Sequence, residues 1–183
     1  MNPGSNESIL NSGLNIFLLG FMGSGKTHWG KIWAEKYSMN FVDLDELIEK
    51  EQGTSVAHLF DTFGEEHFRR LERDALHSCS DLKNTIVACG GGTPCFFDNM
   101  EWLRTHGITI YLACDPSEIL RRVSLEQEKR PLFRKLNPGE LLEFIVLKIA
   151  ERQPFYNQAD FKLDCTEVTE NTLTLLDSPA AIK

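Results

Sequence analysis

The octapeptide Gly20-Phe21-Met22-Gly23-Ser24-Gly25-Lys26-Thr27 constrains this chain more than any other stretch. It has the form G-x-x-x-x-G-K-[ST], a phosphate-binding loop when it joins a strand to a helix. The apolar run Ile16-Phe17-Leu18-Leu19 before it suits a buried strand, and Trp29, Ile32 and Trp33 after it recur at helical spacing. Glycines let the backbone turn its N–H groups inward on phosphate oxygens, and the helix start adds partial positive charge. Gly23, Ser24 and Gly25 would form the cradle. Lys26 has the reach for the β- and γ-phosphates, and the Thr27 hydroxyl can ligate magnesium. A nucleoside triphosphate is the expected ligand. The alternative, a glycine-rich turn that binds nothing, fits the flanking pattern poorly.

At 183 residues the chain is expected to be one domain with a sizeable core, preceded by a loose tail over residues 1–14. A net charge of −8 argues against a nucleic-acid or anionic-membrane surface, so the triphosphate pocket must be a local basic island. No apolar run approaches a membrane span, and the polar start lacks the basic region of a secretory signal. Five cysteines (Cys79, Cys89, Cys95, Cys114, Cys165) without C-x-x-C pairing indicate neither a disulfide framework nor a zinc site. Reduced thiols in a cytoplasmic protein are expected.

Strand-like runs at 15–19, 41–42, 85–89, 108–113 and 161–163 alternate with helical patterns, which predicts parallel βαβ units covered on both faces: an α/β fold. Asp115-Pro116-Ser117-Glu118 announces one helix with a cap, a first-turn proline and a glutamate three residues on. Two segments leave the sheet: 46–78, helical and charged, and 124–139, charged and with the composition of a lid. Open parallel sheets bind ligands at the carboxyl ends of their strands. Gly20 follows the first strand, Asp43 and Asp45 the second, and Gly90-Gly91-Gly92 the third, so all three sets should share one crevice.

Asp43 and Asp45 lie on one side of an extended chain. One could hold magnesium through water while the other accepts from a substrate hydroxyl; either could equally cap the next helix. Three consecutive glycines imply close backbone approach and unusual torsions, with N–H groups open to a carboxylate, phosphate or hydroxyl; a flexible linker is the alternative. Arg69 lies on a helical pattern over 64–77, where pairing with Glu65 or Glu72 reads as a solvated ionic face. Arg130, in the lid segment, and Arg152, just before Gln153-Pro154, could each be surface charges. Arg121 or Arg122 could stack on a base. His28, His58, His67, His77 and His106 show no metal-ligand spacing.

Taken together, these pieces resemble the shikimate kinase family in order over roughly residues 15–165. The shared elements are G-F-M-G-S-G-K-T, F-V-D-L-D, F-G-E-E-x-F-R-x-x-E from Phe63 to Glu72, Gly90–Gly92, K-R-P-L from Lys129 to Leu132, and R-x-P-x-Y from Arg152 to Tyr156. The resemblance implies a three-layer P-loop kinase fold with a five-stranded parallel sheet, a substrate-binding segment (46–78) and a lid (124–139). It implies transfer of the ATP γ-phosphate to the 3-hydroxyl of shikimate, with magnesium, in a cytoplasmic monomer with no nucleic-acid or membrane partner. Carried over, Lys26, Asp43 and Arg130 are catalytic. Gly23, Ser24, Gly25, Thr27 and Arg122 (with Arg121 as the alternative) join Lys26 and Arg130 in binding ATP, and Thr27 and Asp43 serve the metal. Asp45, Arg69, Gly90, Gly91, Gly92 and Arg152 bind shikimate, which overturns the surface reading of Arg69. The rivals are a kinase of another small hydroxy acid such as gluconate, and a shikimate-kinase-like domain that binds without catalysing. One departure is visible: the final helix, amphipathic in the family, is expected to be short here.

Overall fold

A computed structural model describes residues 10, 12–124 and 137–176. The elements alternate as expected. β1 (Asn15–Leu19) leads to α1 (Lys26–Lys36), β2 (Asn40–Asp43) to α2 (Leu44–Gln52) and α3 (Val56–Ser78). β3 (Thr85–Ala88) leads to α4 (Asn99–His106), and β4 (Gly107–Ala113) to α5 (Pro116–Ser124). α6 (Pro138–Tyr156), β5 (Phe161–Asp164) and α7 (Thr172–Leu176) complete the described chain. The five strands form one sheet in the order β2-β3-β1-β4-β5, all pairs parallel.

Every residue of β1 is buried, as expected of a central parallel strand covered on both faces. Its side chains still sort by the period of two. Ile16 and Leu18 join Trp33, Ile86, Ile110 and Leu173 on one face; Phe17 and Leu19 join Leu44, Phe68, Leu76, Leu103 and Tyr156 on the other. A third cluster of Phe21, Ile119, Val123, Leu141 and Ile145 ties the phosphate loop to α5 and α6. The C-terminal helix is short, as expected. It buries Leu173, and Trp33 Nε1 reaches over to donate to Thr169 O at 2.9 Å.

Four details differ from the sequence reading. The helical segment before Arg69 begins at Val56 and is broken at Gly64, whose φ of 80° and ψ of 171° lie outside any helix. α6 does not stop before Arg152; it runs through Pro154 to Tyr156, forgoing only the bond that the missing proline N–H would have made. The Gly90–Gly92 backbone has none of the positive φ values found at Gly20, Gly23 and Gly25. Finally, Cys114 and Cys165 are disulfide-bonded rather than reduced. The cause is register: Ala113 pairs with Asp164 across β4 and β5, which sets the next residues side by side. Cys79, Cys89 and Cys95 are free. Among the described residues, no helix is long and apolar enough to cross a membrane.

Candidate active site

The strand order places the site. β3 lies between β1 and β2, so the loops leaving all three carboxyl ends are neighbours, with Leu18, Ala88 and Asp43 level across the sheet. After β1 the chain turns through Gly20, where a Cβ would lie 2.7 Å from Leu112 O, and enters α1 at Gly25 with φ of 98°. No acidic residue occupies the first turn of α1, so its positive end is left for an anion. Lys26 is buried, and its Nζ donates to Gly20 O (2.8 Å) and Phe21 O (3.0 Å) of its own loop. The Ser24 hydroxyl is buried without a hydrogen-bond partner among the described residues.

Asp43 serves both alternatives read from its spacing. Its Oδ1 caps α2 by accepting from Asp45 N at 3.0 Å, while its Oδ2 accepts from Thr27 Oγ1 at 2.7 Å. A hydroxyl and a carboxylate side by side at a phosphate loop are hard oxygen donors suited to magnesium, which keeps most of its shell as water and phosphate. Among the described residues there is no cluster of three His, Cys, Asp or Glu that would hold a metal without such help. Asp45 meets water, yet it sits in a concave cleft beside other acids. Desolvation, with Asp43, Glu72 and Glu49 adding repulsion against the pull of Lys26, raises its pKa to about 6.

The glycine triplet touches a different partner at each position. A Cβ on Gly90 would crowd Glu72 Oε1, one on Gly91 would lie 3.2 Å from Arg152 Nη1, and one on Gly92 would lie 2.7 Å from Arg69 Nη2. Close approach, not torsion, therefore explains three glycines in a row. Arg69 is only 7% exposed. Its Nη1 donates to Glu72 Oε2 at 2.7 Å and its Nη2 to Glu65 Oε1 at 3.0 Å, and its Cζ stands 4.3 Å from the centre of the Phe96 ring. Both glutamates weighed as partners are thus engaged, but in the interior rather than on a solvated face. Arg152 lies over the ring of Phe21. The guanidiniums of Arg69 and Arg152 both act on Cys95, where burial nevertheless pushes the thiol up to about 11.

A cleft of about 780 Å³ joins these parts, lined by the phosphate loop, Asp43, Asp45, Gly90 and Gly91 on one side and by Arg122, Trp29, Thr166 and Val168 on the other. Arg69 and Arg152 do not line it; they flank Gly91 and Gly92 at its edge. Arg122 is held to Glu118 Oε1 (2.6 Å) and donates to Gly23 O (3.1 Å), so of the adjacent pair it is Arg122 that faces the loop. Arg121 shares Glu118 but is largely exposed. Arg130 lies outside the described residues.

Sequence reasoning missed three contributors. Glu72 is 1% exposed and joins Arg69 to Thr93, whose Oγ1 donates to Glu72 Oε1 at 2.6 Å. Tyr156 OH donates to Gly91 O at 2.5 Å. Trp29, read only as a core position, lines the cleft. Glu72 and Tyr156 each end a motif already quoted, so the signal was present; the contact that gives it meaning was not.

A parallel sheet of this order, with a Gly-Lys-Thr loop after its central strand and an acid pair after its edge strand, defines a P-loop kinase. The shikimate kinase family model matches residues 22–176. A shikimate kinase of Phocaeicola vulgatus is 42% identical over 165 residues, covering 89% of this chain and 94% of its own. The crystal structure of the Bacteroides thetaiotaomicron shikimate kinase superposes with a TM-score of 0.84 at 38% identity, covering 89% of this chain and 96% of the other. The Acinetobacter baumannii enzyme, solved in complex with shikimate, superposes at 0.75 with 30% identity over 91% and 89%. The chain belongs to the shikimate kinase family.

Proposed function

We propose that this protein transfers the γ-phosphoryl group of ATP to the 3-hydroxyl of shikimate, giving shikimate 3-phosphate and ADP. The observation that carries this reading is the meeting of two guanidiniums at a glycine floor beside a phosphate loop. Arg69 abuts Gly92 and Arg152 abuts Gly91, and Gly91 also lines the nucleotide cleft. Paired guanidinium forks match a single carboxylate on a small acid. Asp45, between that floor and Lys26, then accepts hydrogen bonds from the ring hydroxyls.

Phosphoryl transfer passes through a loose transition state, so the protein's work is positioning and charge neutralisation. Lys26 exchanges its carbonyl partners for phosphate oxygens. Gly23, Ser24, Gly25 and Thr27 supply the cradle, and Arg122 stacks on the adenine. Asp43 orients the attacking hydroxyl. Magnesium, held by Thr27 Oγ1 and through water by Asp43, supplies neutralisation of the transferring oxygens. Arg130, assigned through the K-R-P-L resemblance, acts on the same charge from the lid over 124–139, and the segment 46–78 carries the acid-binding side. We take residues 15–183 as one kinase domain behind an N-terminal tail, working as a monomer in the cytoplasm on small molecules only.

The test is a coupled ADP-release assay with ATP, magnesium and shikimate, each omitted in turn, and with gluconate as a competing acceptor. Turnover that requires all three is expected. Phosphorylation of gluconate in preference to shikimate, or none of either acid, would overturn the proposal.

A further inference from the structure

We propose that the Thr93 hydroxyl is a positioning residue for the acid-binding side: by donating to the buried carboxylate of Glu72, it holds that carboxylate in the plane that aims the fork of Arg69. The inference rests on the reading of Arg69 given under Proposed function and extends it to a residue no motif pointed to.

Glu72 is 1% exposed and Thr93 fully buried. The carboxylate spends one oxygen on each neighbour, Oε2 on Arg69 Nη1 (2.7 Å) and Oε1 on Thr93 Oγ1 (2.6 Å). Gly90 packs so closely on Oε1 that even a methyl there would collide, which leaves no room for a water to replace the hydroxyl. Thr93 is itself fixed, its N donating to Gly90 O at 3.1 Å and its carbonyl accepting from Asn99 Nδ2 at 2.8 Å. The hydroxyl therefore points from a rigid turn onto a side chain that would otherwise be free to rotate about its last bond. Arg69 has a second partner in Glu65, but that side chain is 58% exposed and is a weak anchor. The buried link to Glu72 sets the fork, and Thr93 sets Glu72. The same bond ties the glycine floor after β3 to α3, so the two walls that would grip the acid move together.

Thr93→Val keeps the shape and deletes the donor; Thr93→Ser keeps the donor and deletes a methyl. In the coupled assay, Thr93→Val is expected to raise the KM for shikimate about tenfold, with kcat and the KM for ATP nearly unchanged, and Thr93→Ser to restore the wild-type KM. A second readout needs no turnover: the Arg69 Nε–H signal in 15N-labelled protein, assigned with Arg69→Lys, should be sharp and slow to exchange in wild type and Thr93→Ser, and lost in Thr93→Val. If Thr93→Val does not fold, Thr93→Ala takes its place in both measurements. Equal behaviour of the Val (or Ala) and Ser variants, or an unchanged Arg69 signal in the variant lacking the hydroxyl, overturns the inference. Failure of the wild type itself to phosphorylate shikimate instead overturns the functional reading, and the Arg69 signal still decides whether Thr93 positions the guanidinium.

Discussion

Adding a single methyl group at Gly92 tests how tightly the acid-binding side is built. In Gly92→Ala the new Cβ would sit 2.7 Å from Arg69 Nη2 and 2.8 Å from both Cζ and Nη1. Ordinary contact between such atoms begins near 3.5 Å, so the guanidinium must retreat by about 0.7 Å. It has little room to do so. The rings of Phe96, Phe68 and Phe60 stand 4.3, 5.3 and 5.6 Å from its Cζ, and Glu72 holds its Nη1. A shift of that size spoils at least one charge-assisted hydrogen bond to the substrate carboxylate, worth roughly 1.5–3 kcal/mol. The KM for shikimate should therefore rise roughly ten- to a hundredfold, while the KM for ATP stays put because the phosphate loop is untouched. Overpacking should also lower stability by about 1–3 kcal/mol. Gly53→Ala supplies the control. Its φ of 66° makes alanine costly, but nothing lies within 4 Å of the added carbon. It should lose about 1 kcal/mol of stability without moving either KM. Steady-state kinetics with shikimate varied at saturating ATP, alongside thermal unfolding of both variants, decides the matter. A folded Gly92→Ala enzyme with wild-type KM for shikimate would refute the claim that Arg69 is clamped where the acid binds.

Three further outcomes are expected. Because the pKa of Asp45 is raised to about 6, kcat/KM for shikimate should climb between about pH 5 and 7 as the carboxylate ionises, and Asp45→Asn should remove that limb together with most activity. The stability consequence has the opposite sign. Folding favours the protonated form, so the contribution is present below the model value of 3.8 and fades as pH rises through about 6; Asp45→Asn should therefore gain stability relative to wild type at pH 8 but not at pH 4, and an equal difference at both would exclude the linkage. Lys26→Ala should lower kcat by about 10²–10³, since it deletes the principal cation at the phosphates, and a near-normal rate in the ADP-release assay would remove Lys26 from the mechanism. Cys114 and Cys165 close a loop of 51 residues, a crosslink worth up to about 4 kcal/mol through the unfolded state. Oxidised wild type should melt above Cys114→Ser, and reduced wild type should match the variant; identical melting of all three would show the bond to be without effect.

What was legible in the chain was whatever the local pattern alone determines. The phosphate loop carries its own context in the apolar run before it and the helical spacing after it, and the strands fall within a residue or two of their expected places. The acid pair and the glycine triplet could be placed because strand ends were placed. What stayed hidden depends on contacts between distant segments. Arg69 looked like a surface charge because i,i+3 and i,i+4 pairing is the same in water and in the interior; only the packing of Phe60, Phe68 and Phe96 around it makes the difference. The glycines were assigned to torsion, when the cause is side chains arriving from α3 and α6. The disulfide needed the β4–β5 register, which no cysteine count contains.

The same contacts explain how a protein of net charge −8 keeps four cations at an anion site. Each has an internal acceptor. Lys26 is held by two carbonyls of its own loop, Arg69 by Glu72 and Glu65, and Arg122 by Glu118 and Gly23 O; Arg152 lies against Phe21 and shares a hydrogen bond with Tyr156. Such groups are aimed before a ligand arrives, so little side-chain entropy remains to be lost on binding. Binding then exchanges oxygen for oxygen, which makes ground-state affinity moderate. The advantage of the ligand over the internal acceptors is largest where its negative charge is greatest, on the oxygens of the transferring phosphoryl group. An arrangement of this kind favours the transition state over tight capture of substrate or product. It also makes Glu72 and Glu118 parts of the machinery rather than spectators: replacing either by an apolar residue should strengthen the bare positive field and yet weaken recognition, because the guanidinium it held would no longer point at the site.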